Sequence, residues 1–205
     1  MEPVFAHIDI EADGDSPYAN NMISLGVVFT DKTGKIVGEF LGDIQELPNH
    51  KADPSCIAEF WERDDNNRKE LQRIRDNARP AFDVMNDLNK YIADMNPKRV
   101  TWVARPAAYD WQWINYYQNY YLSKGGKGSL INHPKRQAFK AVDASTMRDI
   151  FMSQWNLKRD QMEEQCKEWT KDCGFKMTHN PLDDARYQAV VYHKIFDALS
   201  ENKKI

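Results

Sequence analysis

Apolar and polar residues alternate at the start of the chain. Val4, Ala6, Ile8 and Ile10 fall on one side of a two-residue period and Phe5, His7, Asp9 and Glu11 on the other, which predicts a first strand over 4–10. MISLGVVFT from Met22 and IVGEFL from Ile36 predict two more strands, joined by the polar turn Asp31-Lys32-Thr33-Gly34-Lys35, so the chain opens as an antiparallel meander. From Pro54 the period lengthens to that of a helix. EFWERDDNNRKELQRI reads as one helical segment bounded by Pro80, and 81–95 sets Phe82, Met85, Leu88, Tyr91 and Ile92 on one stripe before Asn96-Pro97 ends it. VTWVA over 100–104 is a compact strand of the buried type, 109–122 an aromatic-rich helix and 124–128 a Gly- and Lys-rich loop. A strand over 139–142 leads into helices over 145–155, 161–173 and about 181–199. A meander followed by alternating strands and helices predicts an α/β fold with a mixed sheet. With no internal repeat, low-complexity tract or linker, the whole of 1–205 reads as a single domain.

Composition narrows the class. The chain is 41% hydrophobic and 29% charged, ordinary for a soluble globular protein, and it holds no apolar run of the roughly 18 residues a membrane helix needs. Cys56, Cys166 and Cys173 form no CxxC, which speaks against a disulfide framework or a zinc site and for the reducing cytoplasm. A net charge of −3 is wrong for a protein that coats nucleic acid by bulk attraction. It is compatible with an enzyme that grips a few terminal nucleotides, because bound cations neutralise phosphate locally.

The candidate chemistry lies in three segments. In HIDIEAD the two-residue spacing of Asp9 and Glu11 points both carboxylates to one face of the first strand, although a strand leaving the core commonly ends in acids. Asp110 follows VTWVA by a short loop, at the carboxyl end of a strand where α/β folds place their sites; it reads equally as a helix-initiating cap. In THNPLDDA, Asp184 shares a helical stripe with Gln188, Val191 and Ile195, whereas Asp183 projects about 100° away, so Asp184 is the inward acid. His179 sits on the loop before that helix, with an unperturbed pKa near 6.5 that suits a general base. Together these residues are the set that a two-metal phosphodiesterase needs to bind divalent ions and deprotonate water.

HIDIEAD, WVARPAAYDW and HNPLDDA, in that order and with His-x4-Asp spacing in the third, resemble the motifs of the DEDDh 3′→5′ exonuclease superfamily, the group of ribonuclease T, oligoribonuclease and the proofreading epsilon subunit. VDASTMRDI at 142–150 is similar to the segment between the second and third motifs, and FWERDDNNRKEL at 60–71 resembles the compact phage and mycobacterial branch, which includes exoribonucleases and phage deoxyribonucleases. The resemblance implies a ribonuclease-H-like fold, a mixed five-stranded sheet flanked by helices. It implies that Asp9, Glu11, Asp110 and Asp184 hold two Mg²⁺ or Mn²⁺ ions about 3.5–4 Å apart. His179 then takes a proton from the attacking water, and nucleoside 5′-monophosphates leave one at a time from the 3′ ends of single-stranded RNA or DNA, RNA slightly favoured. Relatives are often homodimers. The stretch Ala104-Arg105-Pro106-Ala107-Ala108 departs from the Gly-His-Asn type of sequence that many relatives carry before the second Asp, and a basic residue there suits a substrate phosphate.

Further substrate contacts have two readings each. Trp61 either wedges against a terminal base or anchors its helix, and Tyr109 adjoins the second motif. Arg68 shares a predicted helical face with Arg75 and Arg79, but neighbouring acids make a solvated, salt-bridged surface the usual outcome. Trp113, Ile114, Tyr117 and Tyr121 lie at core spacing. Lys124, Lys127, Lys135, Arg136 and Lys140 are the better candidates for tracking a backbone. Two rival classes remain: a catalytically inactive nucleic-acid-binding module of the same fold, and a metal-dependent phosphatase of another fold in which the carboxylates would not converge.

Overall fold

The computed structural model describes residues 2–122 and 141–201. The basic positions from Lys124 to Lys140, the side chain of Tyr121 and the first part of the strand expected over 139–142 lie outside the described residues. Strands β1 (Val4–Ala12), β2 (Met22–Thr30), β3 (Ile36–Asp43), β4 (Val100–Ala104) and β5 (Ala141–Asp143) form one sheet in the order β3-β2-β1-β4-β5. The meander pairs antiparallel, while β4 and β5 join parallel to β1. Helices α1 (Pro54–Cys56), α2 (Asp65–Asn77), α3 (Ala81–Met95), α4 (Ala107–Leu122), α5 (Ala144–Gln154), α6 (Arg159–Lys171) and α7 (Pro181–Glu201) flank it, and a π-helical turn, Ile57–Trp61, continues α1. None of the described helices is long and apolar enough to cross a membrane.

The alternation of β1 decides the two layers. Val4, Ala6, Ile8 and Ile10 pack with Val84, Met85, Leu88 and Ile92 of α3 and Trp113, Ile114 and Tyr117 of α4 in the principal core. Burying each such side chain stabilises the fold by about 1.5–3 kcal/mol. The opposite face of β1 meets α7. Phe5 contacts the rings of Tyr192, His193 and Phe196, His7 those of Tyr192 and His193, and Asp9 accepts a hydrogen bond from Gln188. Two strand residues rise about 6.6 Å and four helical residues about 6 Å, so β1 and α7 stay nearly in step as they run in opposite directions. The face that is aromatic at Phe5 and His7 therefore becomes acidic at Asp9 and Glu11, where α7 reaches Gln188 and Asp184.

The structure departs from three sequence expectations. The segment from 59 to 74 is not one helix: the carboxylate of Asp64 accepts from the amides of Asn66 and Asn67, capping α2 as a new helix after the π-helical turn. Phe82 is exposed instead of lying on the buried stripe of α3, which is built from Ala81, Val84, Met85, Leu88 and Ile92. Arg79 lies beyond the end of α2 and pairs with Asp87, so it shares no helical face with Arg68 and Arg75.

Candidate active site

Asp9 and Glu11 leave β1 on the α7 side and are both buried. Their β2 partners are Gly26 and Ser24. Gly26 matters because a Cβ there would lie 2.3 Å from the carbonyl carbon and oxygen of Pro181, the first residue of α7. Only glycine lets the helix terminus settle onto the sheet beside Asp9. From that terminus Asp184 points inward, accepting from the amides of Thr178 (2.6 Å) and His179 (3.3 Å), while Asp183 turns outward to Arg186. Helical periodicity thus separated the two neighbouring acids correctly.

Asp110 enters from α4. The helix begins at Ala107, whose amide donates to the carboxylate of Asp143, so Asp110 is the fourth helical residue and does not cap it. Its Oδ2 is buried and has no hydrogen-bond partner among the described residues. His179 holds a left-handed backbone (φ 62°), its Nδ1 lies 4.0 Å from Glu11 Oε1, and its ring meets that of Phe60 edge-on at 4.9 Å. Ligand atoms of Glu11, His179 and Asp184 all lie within 4.8 Å of one another, a spacing that one cation can span.

The electrostatics of these groups show that they share one neighbourhood. Burial, then the charges of Asp110, Glu11 and Asp184, push the Asp9 carboxyl well above the ordinary range, against the pull of the Gln188 hydrogen bond. Glu11 is raised by burial and by Asp184, Glu70 and Asp110. Burial lifts Asp110 to about 7 and Asp184 to about 6, in each case opposed by backbone N–H donors. Such a cluster is costly when fully ionised and becomes favourable once cations enter it. His179 is lowered by burial and then by the Arg63 guanidinium, which favours the neutral ring that a base requires.

A cleft of about 560 Å³ opens beside Glu11, lined by Ile10, Asp15, Ser55, Phe60 and Tyr109 among others. Tyr109 donates its hydroxyl to the Gly14 carbonyl at 3.1 Å, so its ring forms a fixed wall of that cleft. Trp61 takes the anchoring position of its two readings: it is 0% exposed and donates from Nε1 to the Ala12 carbonyl at 2.9 Å, packing with Ile23, Leu71 and Ile74. Arg68 also stays away from the cleft, held at the surface by Asp65 and the Glu62 carbonyl. Arg105 is half-buried on the other flank, lining a small cavity with Arg148 and Gln188, and forms no ion pair among the described residues. In the sequence Gln188 is visible only as a member of the Asp184 stripe, and Gly26, Phe60, Glu70 and Asn180 carry no functional motif of their own. Their partners lie far along the chain, and only the glycine inside an apolar strand gave a local sign of close backbone approach.

Known proteins resemble this chain in sequence and fold. The chain is 25% identical over 205 residues to the 3′-5′ DNA exonuclease Cap18 of Escherichia coli, covering 98% of this chain and 96% of that one. Among solved structures it resembles a 3′-exonuclease described in specific recognition of the histone mRNA stem-loop 3′ end, with a TM-score of 0.58, 16% identity and coverage of 95% and 81%. It also resembles E. coli ExoI in a zinc-bound complex with single-stranded DNA, with a TM-score of 0.65 and 12% identity over 98% of this chain and 43% of that one. The chain thus spans less than half of the exonuclease I polypeptide. These likenesses establish the ribonuclease-H-like exonuclease fold. The 3′-5′ exoribonuclease Rv2179c-like domain matches residues 4–196, the span that brings all three acidic motifs together, and the chain belongs to that family.

Proposed function

We propose that this protein hydrolyses the 3′-terminal phosphodiester of single-stranded nucleic acid, releasing nucleoside 5′-monophosphates, with RNA slightly preferred to DNA. The observation that carries the reading is the convergence of Asp9, Glu11, Asp110 and Asp184, each raised by burial and by neighbouring charge, with His179 4.0 Å from Glu11. The donors fit a hard divalent cation: all are carboxylate oxygens, and the buried Asp110 Oδ2 has no other partner among the described residues. Asp9, Glu11, Asp110 and Asp184 would hold two Mg²⁺ or Mn²⁺ ions. When bound, these ions supply an activated water and offset charge on the leaving 3′ oxygen.

The remaining work falls to the chain. His179, kept neutral by burial and Arg63, accepts the proton of the attacking water at its imidazole. Gln188 orients Asp9, and the Thr178 and His179 amides orient Asp184, so the ligand oxygens are set before substrate arrives. The cleft between Phe60 and Tyr109 receives the uncharged terminal nucleoside. Its acidic wall, which includes Asp15, Asp53 and Glu59, would repel an extra phosphate and favours a free 3′ end. Arg105, on the opposite flank and without an acidic partner among the described residues, suits a phosphate of the strand leading to the site.

A second reading, exodeoxyribonuclease activity, is favoured by the near-full-length match to a DNA exonuclease. Sugar choice depends on how one 2′-hydroxyl is contacted. The test is to incubate purified protein with 5′-labelled single-stranded RNA and DNA in Mg²⁺, Mn²⁺ or chelator. The expected result is a one-nucleotide ladder on RNA that chelator removes. A faster ladder on DNA would support the second reading, and binding without cleavage would leave a catalytically silent module.

A further inference from the structure

The segment between β3 and α3 supplies none of the four proposed ligand carboxylates, yet it reaches the histidine loop. Glu70 of α2 is nearly buried, and its Oε1 accepts from the side-chain amide of Asn180 at 3.1 Å and from Arg73 Nε at 2.8 Å. Arg73 grips Asp43 with both terminal nitrogens, at 2.6 and 2.9 Å, and Asp43 also accepts from the Ser24 hydroxyl at 2.7 Å. Ser24 is the β2 partner of Glu11. A continuous polar chain therefore runs from the strand beside Glu11, through β3 and α2, to Asn180, the neighbour of His179.

Asn180 is the hinge of that chain. Its Oδ1 accepts from the amides of Leu182 (3.1 Å) and Asp183 (3.4 Å), capping α7, while its Nδ2 is held by Glu70. Immediately before it, His179 sits at φ 62°, a conformation that an L residue holds only where its surroundings fix it. The imidazole is touched on one side by Phe60, from the same segment. Without the Glu70 contact the Asn180 side chain loses one of its two anchors, and the turn that aims the ring is free to relax.

We propose that Glu70 is a positioning residue for His179, acting through Asn180 to fix the turn that aims the imidazole at the carboxylates. The inference rests on the reading of His179 as proton acceptor. Its consequence is that the β3–α3 segment sets catalytic geometry and not merely the wall of the nucleoside cleft.

The experiment uses the full chain and compares wild type, Glu70→Ala, Glu70→Gln, His179→Ala and the Glu70→Ala/His179→Ala double variant. Turnover and KM are measured on a labelled single strand, and the His179 signal is followed by imidazole ¹⁵N NMR, assigned by its loss in His179→Ala. Glu70→Ala is expected to lower kcat by about tenfold or more with KM within about twofold and to move the His179 signal. Glu70→Gln, which keeps an acceptor for Asn180, should recover most of the rate. In the His179→Ala background, adding Glu70→Ala should cost nothing further. The proposal is overturned if Glu70→Ala leaves both the His179 signal and kcat unchanged, or if it lowers kcat equally with and without His179. An inactive wild type whose His179 signal still moves in Glu70→Ala would sink the exonuclease reading and leave the positioning role standing.

Discussion

Gly26→Ala perturbs the site without touching any charged group. The added methyl would sit 2.3 Å from the carbonyl carbon and oxygen of Pro181 and 2.4 Å from the amide nitrogen of Leu182, against an ordinary separation of about 3.4 Å or more. These are backbone atoms at the first turn of α7, so no side chain can swing aside. The helix terminus must retreat by about 1 Å, taking Asp184 and the Thr178–His179 turn with it. Overpacking of this kind costs about 1–3 kcal/mol of stability. A displacement of about 1 Å at a reacting group costs about 100-fold in rate. The assay is kcat on a 5′-labelled single strand at saturating Mg²⁺, beside circular dichroism and thermal unfolding. The expected variant is folded, slightly less stable and about 100-fold slower. Turnover within threefold of wild type would refute the claim that contact between β2 and α7 sets the geometry.

Other perturbations separate charge from position. Burial lifts the Asp184 carboxyl to about 6 in the folded chain against about 3.9 unfolded, which corresponds to about 3 kcal/mol. Because the folded value is the higher one, this group favours folding below about pH 4, and that contribution is lost as pH rises through 6. Asp184→Asn should therefore raise the melting temperature of the metal-free protein by several degrees at pH 8 and by nothing near pH 4, and an equal effect at both pH values would contradict the burial argument. His179→Ala should slow hydrolysis by about 100-fold or more while Mn²⁺ affinity by calorimetry stays within a few-fold, and unchanged turnover would remove His179 from the mechanism. Asp9→Ala should abolish cleavage and keep the fold, because the acid removed belongs to a mutually repelling cluster. Residual Mn²⁺-dependent cleavage in that variant would count against the ligand set.

Local periodicity made much of this molecule legible. β2, β4 and α3 begin and end where their apolar patterns do, and the alternation of β1 separated the core face from the face carrying Asp9 and Glu11. The choice of Asp184 over Asp183 followed from helix geometry alone. Where two signals competed, the reading failed: the apolar spacing from Phe60 to Ile74 suggested one helix, but the Asp64 cap restarts it. Where the sequence left two readings, the structure takes the packing one: Arg68 is held at the surface by Asp65, and Trp61 anchors its turn to a carbonyl 49 positions away. The contacts that orient the site are longer still, Glu70 to Asn180 across 110 positions and Gln188 to Asp9 across 179. No periodicity encodes such pairs, since each member has an ordinary local role as a surface acid, a cap or a polar helix position.

Four carboxylates from β1, α4 and α7 are proposed to hold a pair of cations. Anomalous diffraction from crystals soaked in Mn²⁺ tests it directly. Two manganese peaks enclosed by Asp9, Glu11, Asp110 and Asp184, both absent in Asp184→Ala, are the expected result. No peak among these residues at saturating Mn²⁺, or manganese bound only elsewhere on the surface, would contradict the account.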